Sequence, residues 1–191
     1  KPEITVKFKN EFSEVGVMNT ISHTFAGILV LKLLSVMFPD IFLMTFPMMM
    51  LSIIFANLPD IDVLWSKKLN EHHKSILHAP IFWVSILFIG LVISQATNLI
   101  SEAVILLFFI QGVFHLFFDF IFGRTVGVPL FYPLSDKEYS LYPLRPKYSD
   151  FNPWLSNTKK HFRYIRHYLK NETLVAFEFA IAFFGLLVLF F

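Results

Sequence analysis

The sequence predicts an all-α, polytopic membrane helix bundle of about five transmembrane helices, with a cytoplasmic loop carrying an interfacial basic helix. Three observations predict it. Hydrophobic residues make up 55% of the 191 positions and charged residues only 16%, against about 25% charged in a soluble domain. Phenylalanine occurs 25 times, and so much apolar surface cannot be hidden inside so small a particle. Of the 16 Lys and Arg, only Lys32 falls inside a long apolar stretch. Together these exclude a disordered chain, a collagen-like chain and a water-soluble single domain. The chain has no cysteine, so disulfides, thiolate zinc sites and cysteine nucleophiles are excluded and any metal must rest on His, Asp and Glu.

A span needs about 20 mostly apolar residues. Residues 21–38, 41–58, 76–94, 103–122 and 174–191 come close. Pro47 should kink the second, while Pro80 falls in the first turn of the third, where proline costs little. Pro39-Asp40 and residues 95–102 read as short connections, pairing the first four helices into two antiparallel hairpins. The resulting organisation is a polar N-terminal extension at 1–17 with no function assigned, a four-helix membrane core at 18–122, a cytoplasmic loop at 123–173 and a fifth transmembrane helix at 174–191. Lys and Arg cluster before the first stretch, between the second and third, and in residues 123–173, with none in the two short connections. That asymmetry places the N-terminus and both large loops in the cytoplasm of a multi-pass inner (plasma) membrane protein. Within the last loop, residues 159–170 set Phe162, Ile165 and Leu169 at helical spacing among basic residues, which suits an interfacial helix on anionic lipid. Nucleic acid is not expected as a partner.

Ionisable side chains in or beside spans are costly and usually functional. Here they are His23, opening the first helix; Asp60 and Asp62 in LPDID, ending the second; His73 and His78, opening the third; and His115 and Asp119, late in the fourth. Under the topology above, all seven fall at one membrane face. His115 and Asp119 are one helical turn apart on one face, and Gln111 continues the stripe one turn deeper. Three or four imidazoles with three carboxylates in one bundle match a site for zinc, manganese or iron, and seven candidate ligands leave room for one or two divalent ions, zinc favoured. Such ions acidify bound water and polarise a phosphoryl or carbonyl oxygen. Asp62 and Asp119 are the candidate catalytic carboxylates, and Glu178 is a weaker candidate for orienting a histidine.

In order and spacing, His23 in SHTFAG, LPDID, HKSILH, HLFFD and the later GVPLFYPLS resemble the LexA-binding inner-membrane family of metal-dependent hydrolases, called YdjM-like, over about residues 18–142. The resemblance implies ligand or catalytic roles for His23, Asp60, Asp62, His73, His78, His115 and Asp119. The family's H-R-G-x-T-H-S becomes His73-Lys74-Ser75-Ile76-Leu77-His78-Ala79 here, which keeps the histidines in register and puts the small hydroxyl residues around His78 in question. The expected function is a membrane-embedded, metal-dependent hydrolase facing the cytoplasm, acting on an ester or phosphoester of a lipid, lipid-linked or other small-molecule substrate. The alternative is a metal-ion or proton-coupled carrier using the same cluster, against which stands the lack of a matching ionisable set in the outer half.

Overall fold

The computed structural model describes residues 20–64, 74–122, 127–141, 166, 169 and 172–190. Five α-helices carry these residues: α1 (Thr20–Met37), α2 (Phe46–Asn57), α3 (Pro80–Thr97), α4 (Glu102–Phe122) and α5 (Glu172–Phe190). Two short 3₁₀ turns, Pro59–Leu64 and Ile76–His78, lie between α2 and α3. No strand occurs among the described residues; one isolated antiparallel bridge joins Val128 to Tyr139. The extension at 1–17, His72 and His73, and nearly all of the basic segment 159–170 lie outside the described residues; Arg166 and Leu169 of that segment are helical.

The all-helical class is as expected, and the helix boundaries refine it. α1, α3 and α4 are long and apolar enough to cross a membrane. α2 is not the 18-residue span expected from 41–58. It has 12 residues, about 18 Å at 1.5 Å per residue, well short of a hydrocarbon core of about 30 Å. Pro47 does not kink it. Thr45 caps the helix, with its side chain accepting from Met48 N, and Pro47 stands in the first turn, where a missing N–H costs nothing. The connection from α1 therefore runs over residues 38–45 rather than two residues, and it folds Phe42 into a buried cluster with Val30, Leu31, Leu34 and Leu107.

Neighbour contacts link α5 to α1, α1 to α2, α2 to α4 and α4 to α3, and α1 also meets α4. Small and polar residues allow the close approaches. A Cβ on Gly27 would lie 2.7 Å from Ala56 Cβ and 3.1 Å from the Ser52 carbonyl oxygen, so α1 and α2 meet nearly backbone to backbone. Ser52 Oγ donates to the Gly27 carbonyl at 2.7 Å, and Gln111 Nε2 donates to that carbonyl at 3.0 Å and to Ser52 Oγ at 2.6 Å. With little hydrophobic drive between helices in lipid, such packing and bonding hold spans together. The deepest member of the Gln111/His115/Asp119 stripe is thus the tie among α1, α2 and α4.

Candidate metal centre

The polar residues converge where the helices break. Pro80 lacks an N–H, and the residue before a proline is pushed away from helical geometry. Leu58, before Pro59, stays helical, but Ala79, before Pro80, has φ −91° and ψ 124°, which separates His78 from α3. His78 and the LPDID aspartates therefore do not sit in α3 and α2, as expected, but in the 3₁₀ turns beside them. That break turns His78 fully inside the protein. Trp83, buried on the first turn of α3, donates its Nε1–H to the Leu77 carbonyl at 2.8 Å and so fixes the turn before His78.

Asp60, His78, His115 and Asp119 each offer a ligand atom within 4.8 Å of the others. His115 Nε2 lies 3.1 Å from Asp119 Oδ2 and 3.4 Å from Asp60 Oδ1. His78 Nε2 lies 3.7 Å from both of those oxygens. An ion held at about 2.1 Å sets neighbouring tetrahedral ligands about 3.4 Å apart, and these four separations bracket that value. His115 Nε2 is buried and makes no well-aligned hydrogen bond among the described residues; facing two carboxylate oxygens, it is satisfied by its own proton or by a cation at the centre. The donor set, two imidazoles and two carboxylates, suits zinc, manganese or iron. The residues present therefore fit a divalent ion.

The backs of the rings are anchored. His115 Nδ1 lies 2.7 Å from the Ala56 carbonyl oxygen; a carbonyl can only accept, so Nδ1 carries a proton and Nε2 is the nitrogen left to ligate at the centre. His78 Nδ1 lies 3.1 Å from Asp62 Oδ2, and Ser75 Oγ donates to the same oxygen while accepting from Leu77 N at 3.2 Å. Asp62 thus stands behind His78 and not among the four converging atoms. Ser75 meets the question raised over hydroxyls near His78: the hydroxyl is present, on the aspartate that holds the ring.

His23 stands to one side. Its ring stacks on His115 with centroids 3.9 Å apart, and its Nε2 lies 3.7 Å from Asp119 Oδ1, the oxygen not shared with His78 and His115. Nε2 of His23 has no hydrogen bond among the described residues. Asp60 is the outlet of the cluster, with 20% of its side chain exposed where the others are closed. Burial opposes its ionisation, yet the facing imidazoles of His115 and His78 outweigh burial and hold its carboxyl well below the usual carboxylate range. Glu178 is buried on α5 and is not one of the converging four. Sequence reasoning missed Ser75 and the Ala56 carbonyl. Ser75 begins a turn three residues before a histidine, which is a readable signal; a backbone carbonyl leaves none.

The family model described as YdjM inner membrane protein matches residues 18–191. The chain belongs to that family. The match extends past the 18–142 segment on which the resemblance rested and takes in α5. No curated protein and no solved structure matches the chain. Membership in this inner-membrane protein family and the apolar helices make this a membrane protein.

Metal-ligating histidines are oriented by partners on their other nitrogen, and losing such a partner typically lowers metal affinity about 10–100-fold. Asp62→Ala should therefore weaken zinc binding in that range, measured by competition with a chromogenic chelator, while the four ligands stay in place. An unchanged affinity would mean that His78 is not a ligand or does not depend on Asp62.

Proposed function

We propose that the protein is a metal-dependent hydrolase of the inner membrane, with N-terminus and site on the cytoplasmic side, cleaving an ester or phosphoester bond in a lipid or lipid-linked substrate. The observation that carries the proposal is the convergence of Asp60, His78, His115 and Asp119, whose ligand atoms all lie within 4.8 Å of one another and whose four His–Asp spacings are 3.1–3.7 Å. These four would hold a divalent ion, zinc in preference to manganese or iron. When bound, such an ion polarises a phosphoryl or carbonyl oxygen and makes nearby water a better nucleophile.

The chain's own groups supply the rest. Ala56 and Asp62 hold the ligating rings in one tautomer and orientation. Asp60 opens the site on its exposed side, where substrate and water enter. Asp119 spans two roles, because Oδ2 faces the centre and Oδ1 faces His23. His23 Nε2 is placed to take a proton from the attacking water or return it to the leaving oxygen, with Asp119 Oδ1 stabilising the charged imidazole.

The test is hydrolysis by purified protein in lipid nanodiscs, scored as phosphate or fatty acid released from phospholipid. Release should stop on chelation and return on adding zinc or manganese. Absence of release with metal bound, together with metal flux into proteoliposomes, would replace the hydrolase by a carrier.

Orientation has its own check. A cysteine at Asn98 should react with a membrane-impermeant thiol reagent added to intact cells, and a cysteine at Asp136 should not; both side chains are exposed. The reverse pattern would put the site on the outer face.

A further inference from the structure

Beside the cluster runs a groove of about 240 Å³ lined by Pro80, Val113, Leu116, Phe117, Phe120 and Leu130. We propose that this groove seats an acyl chain of the lipid substrate; the inference rests on the hydrolase reading and names the part of the lipid that the protein grips. All six lining residues are apolar. Leu116 and Phe120 each directly follow a site residue on α4, so they lie about 100° around the helix from His115 and Asp119. Pro80 follows His78 by two positions on the other wall. One flank of α4 therefore carries the ion-binding side chains and the adjoining flank carries the groove.

The third wall is the segment 127–141. Its Val128 and Tyr139 exchange backbone hydrogen bonds of 2.8 and 2.9 Å, and Leu141 N donates to the Phe120 carbonyl at 2.8 Å. Val128 is buried with Trp83 and Leu116, which fixes Leu130 at the groove edge. Next to it, Phe131 is 56% and Leu134 93% exposed. A water-facing loop would not present such residues together, whereas a loop lying in the interfacial region of a bilayer would.

The occupant follows from the place and the size. α3 and α4 are helices apolar enough to cross a membrane, so the groove opens on hydrocarbon. A packed helix is about 10–12 Å across, too broad for this space, and an acyl chain is narrow enough. A lipid seated there would carry its ester or phosphate toward the end of α4 where Asp119 stands.

The experiment uses the whole protein in nanodiscs containing a diacyl phospholipid with a diazirine in one acyl chain. After illumination, label should concentrate on the α4 peptide spanning 113–120 and on the peptide containing Leu130. Val113→Trp and Leu130→Trp, both at partly exposed positions that tolerate bulk, should each lower that labelling about tenfold by excluding several methylenes, with bound zinc unchanged. Labelling spread evenly over Ile93 of α3 and Phe183 of α5, or insensitive to both tryptophans, would overturn the seat. Hydrolysis of the same lipid is scored separately. Localised labelling without hydrolysis would leave the seat standing and sink the reaction.

Discussion

Asp119→Asn is expected to abolish hydrolysis and lower zinc affinity by more than about 100-fold, beyond the loss for an outer partner such as Asp62. The aspartate is the only one of the four converging residues whose two oxygens face different imidazoles, Oδ2 toward His78 and His115 and Oδ1 toward His23. Asparagine keeps the volume and removes the anionic ligand. His115→Ala should behave alike, and Phe117→Leu, on the exposed side of the same helix, should leave metal content as it is. Removing one partner of the buried His115–Asp119 pair should lower the unfolding temperature of the metal-free Asp119→Asn protein, but its unfolding in detergent should stay cooperative. That separates ligand loss from misfolding: zinc bound stoichiometrically by this variant would remove Asp119 from the site.

The second large effect is steric. A Cβ on Gly112 would lie 2.2–2.4 Å from three ring carbons of Trp83. The indole is fully buried and tethered to the Leu77 carbonyl, so it cannot step aside. Gly112→Ala should cost about 3 kcal/mol, the upper part of the overpacking range, read as a lowered unfolding temperature in detergent. It should also weaken zinc binding, because displacing Trp83 moves the turn that carries His78. Gly90→Ala is the milder comparison: its Cβ would meet only the Ile105 side chain, at 2.9 Å against 2.2 Å at Gly112, and should cost less. Equal losses in the two variants would mean that Trp83 yields and is not the clamp described.

The membrane class was legible because composition alone sets it, and the His115/Asp119 face was legible because helical spacing is regular. The shortness of α2 was not, since an apolar run at 41–45 reads the same whether it is helical or folded back on a core. Thr45 and Pro47 do carry a helix-start signal, and it marks the true boundary. The break before α3 was also written in the chain, at Pro80, but its effect on His78 depends on how the turn packs under Trp83. Asp62 and Asp119 are alike as letters. Only packing tells that one backs a histidine while the other faces the centre.

One divalent ion is expected among Asp60, His78, His115 and Asp119. Diffraction from zinc-loaded crystals, collected on both sides of the zinc absorption edge, measures this most directly. One strong anomalous peak is expected, about 2.1 Å from Asp60 Oδ1, His78 Nε2, His115 Nε2 and Asp119 Oδ2. A zinc-loaded crystal with no peak there, or with its peak on other residues, would contradict it.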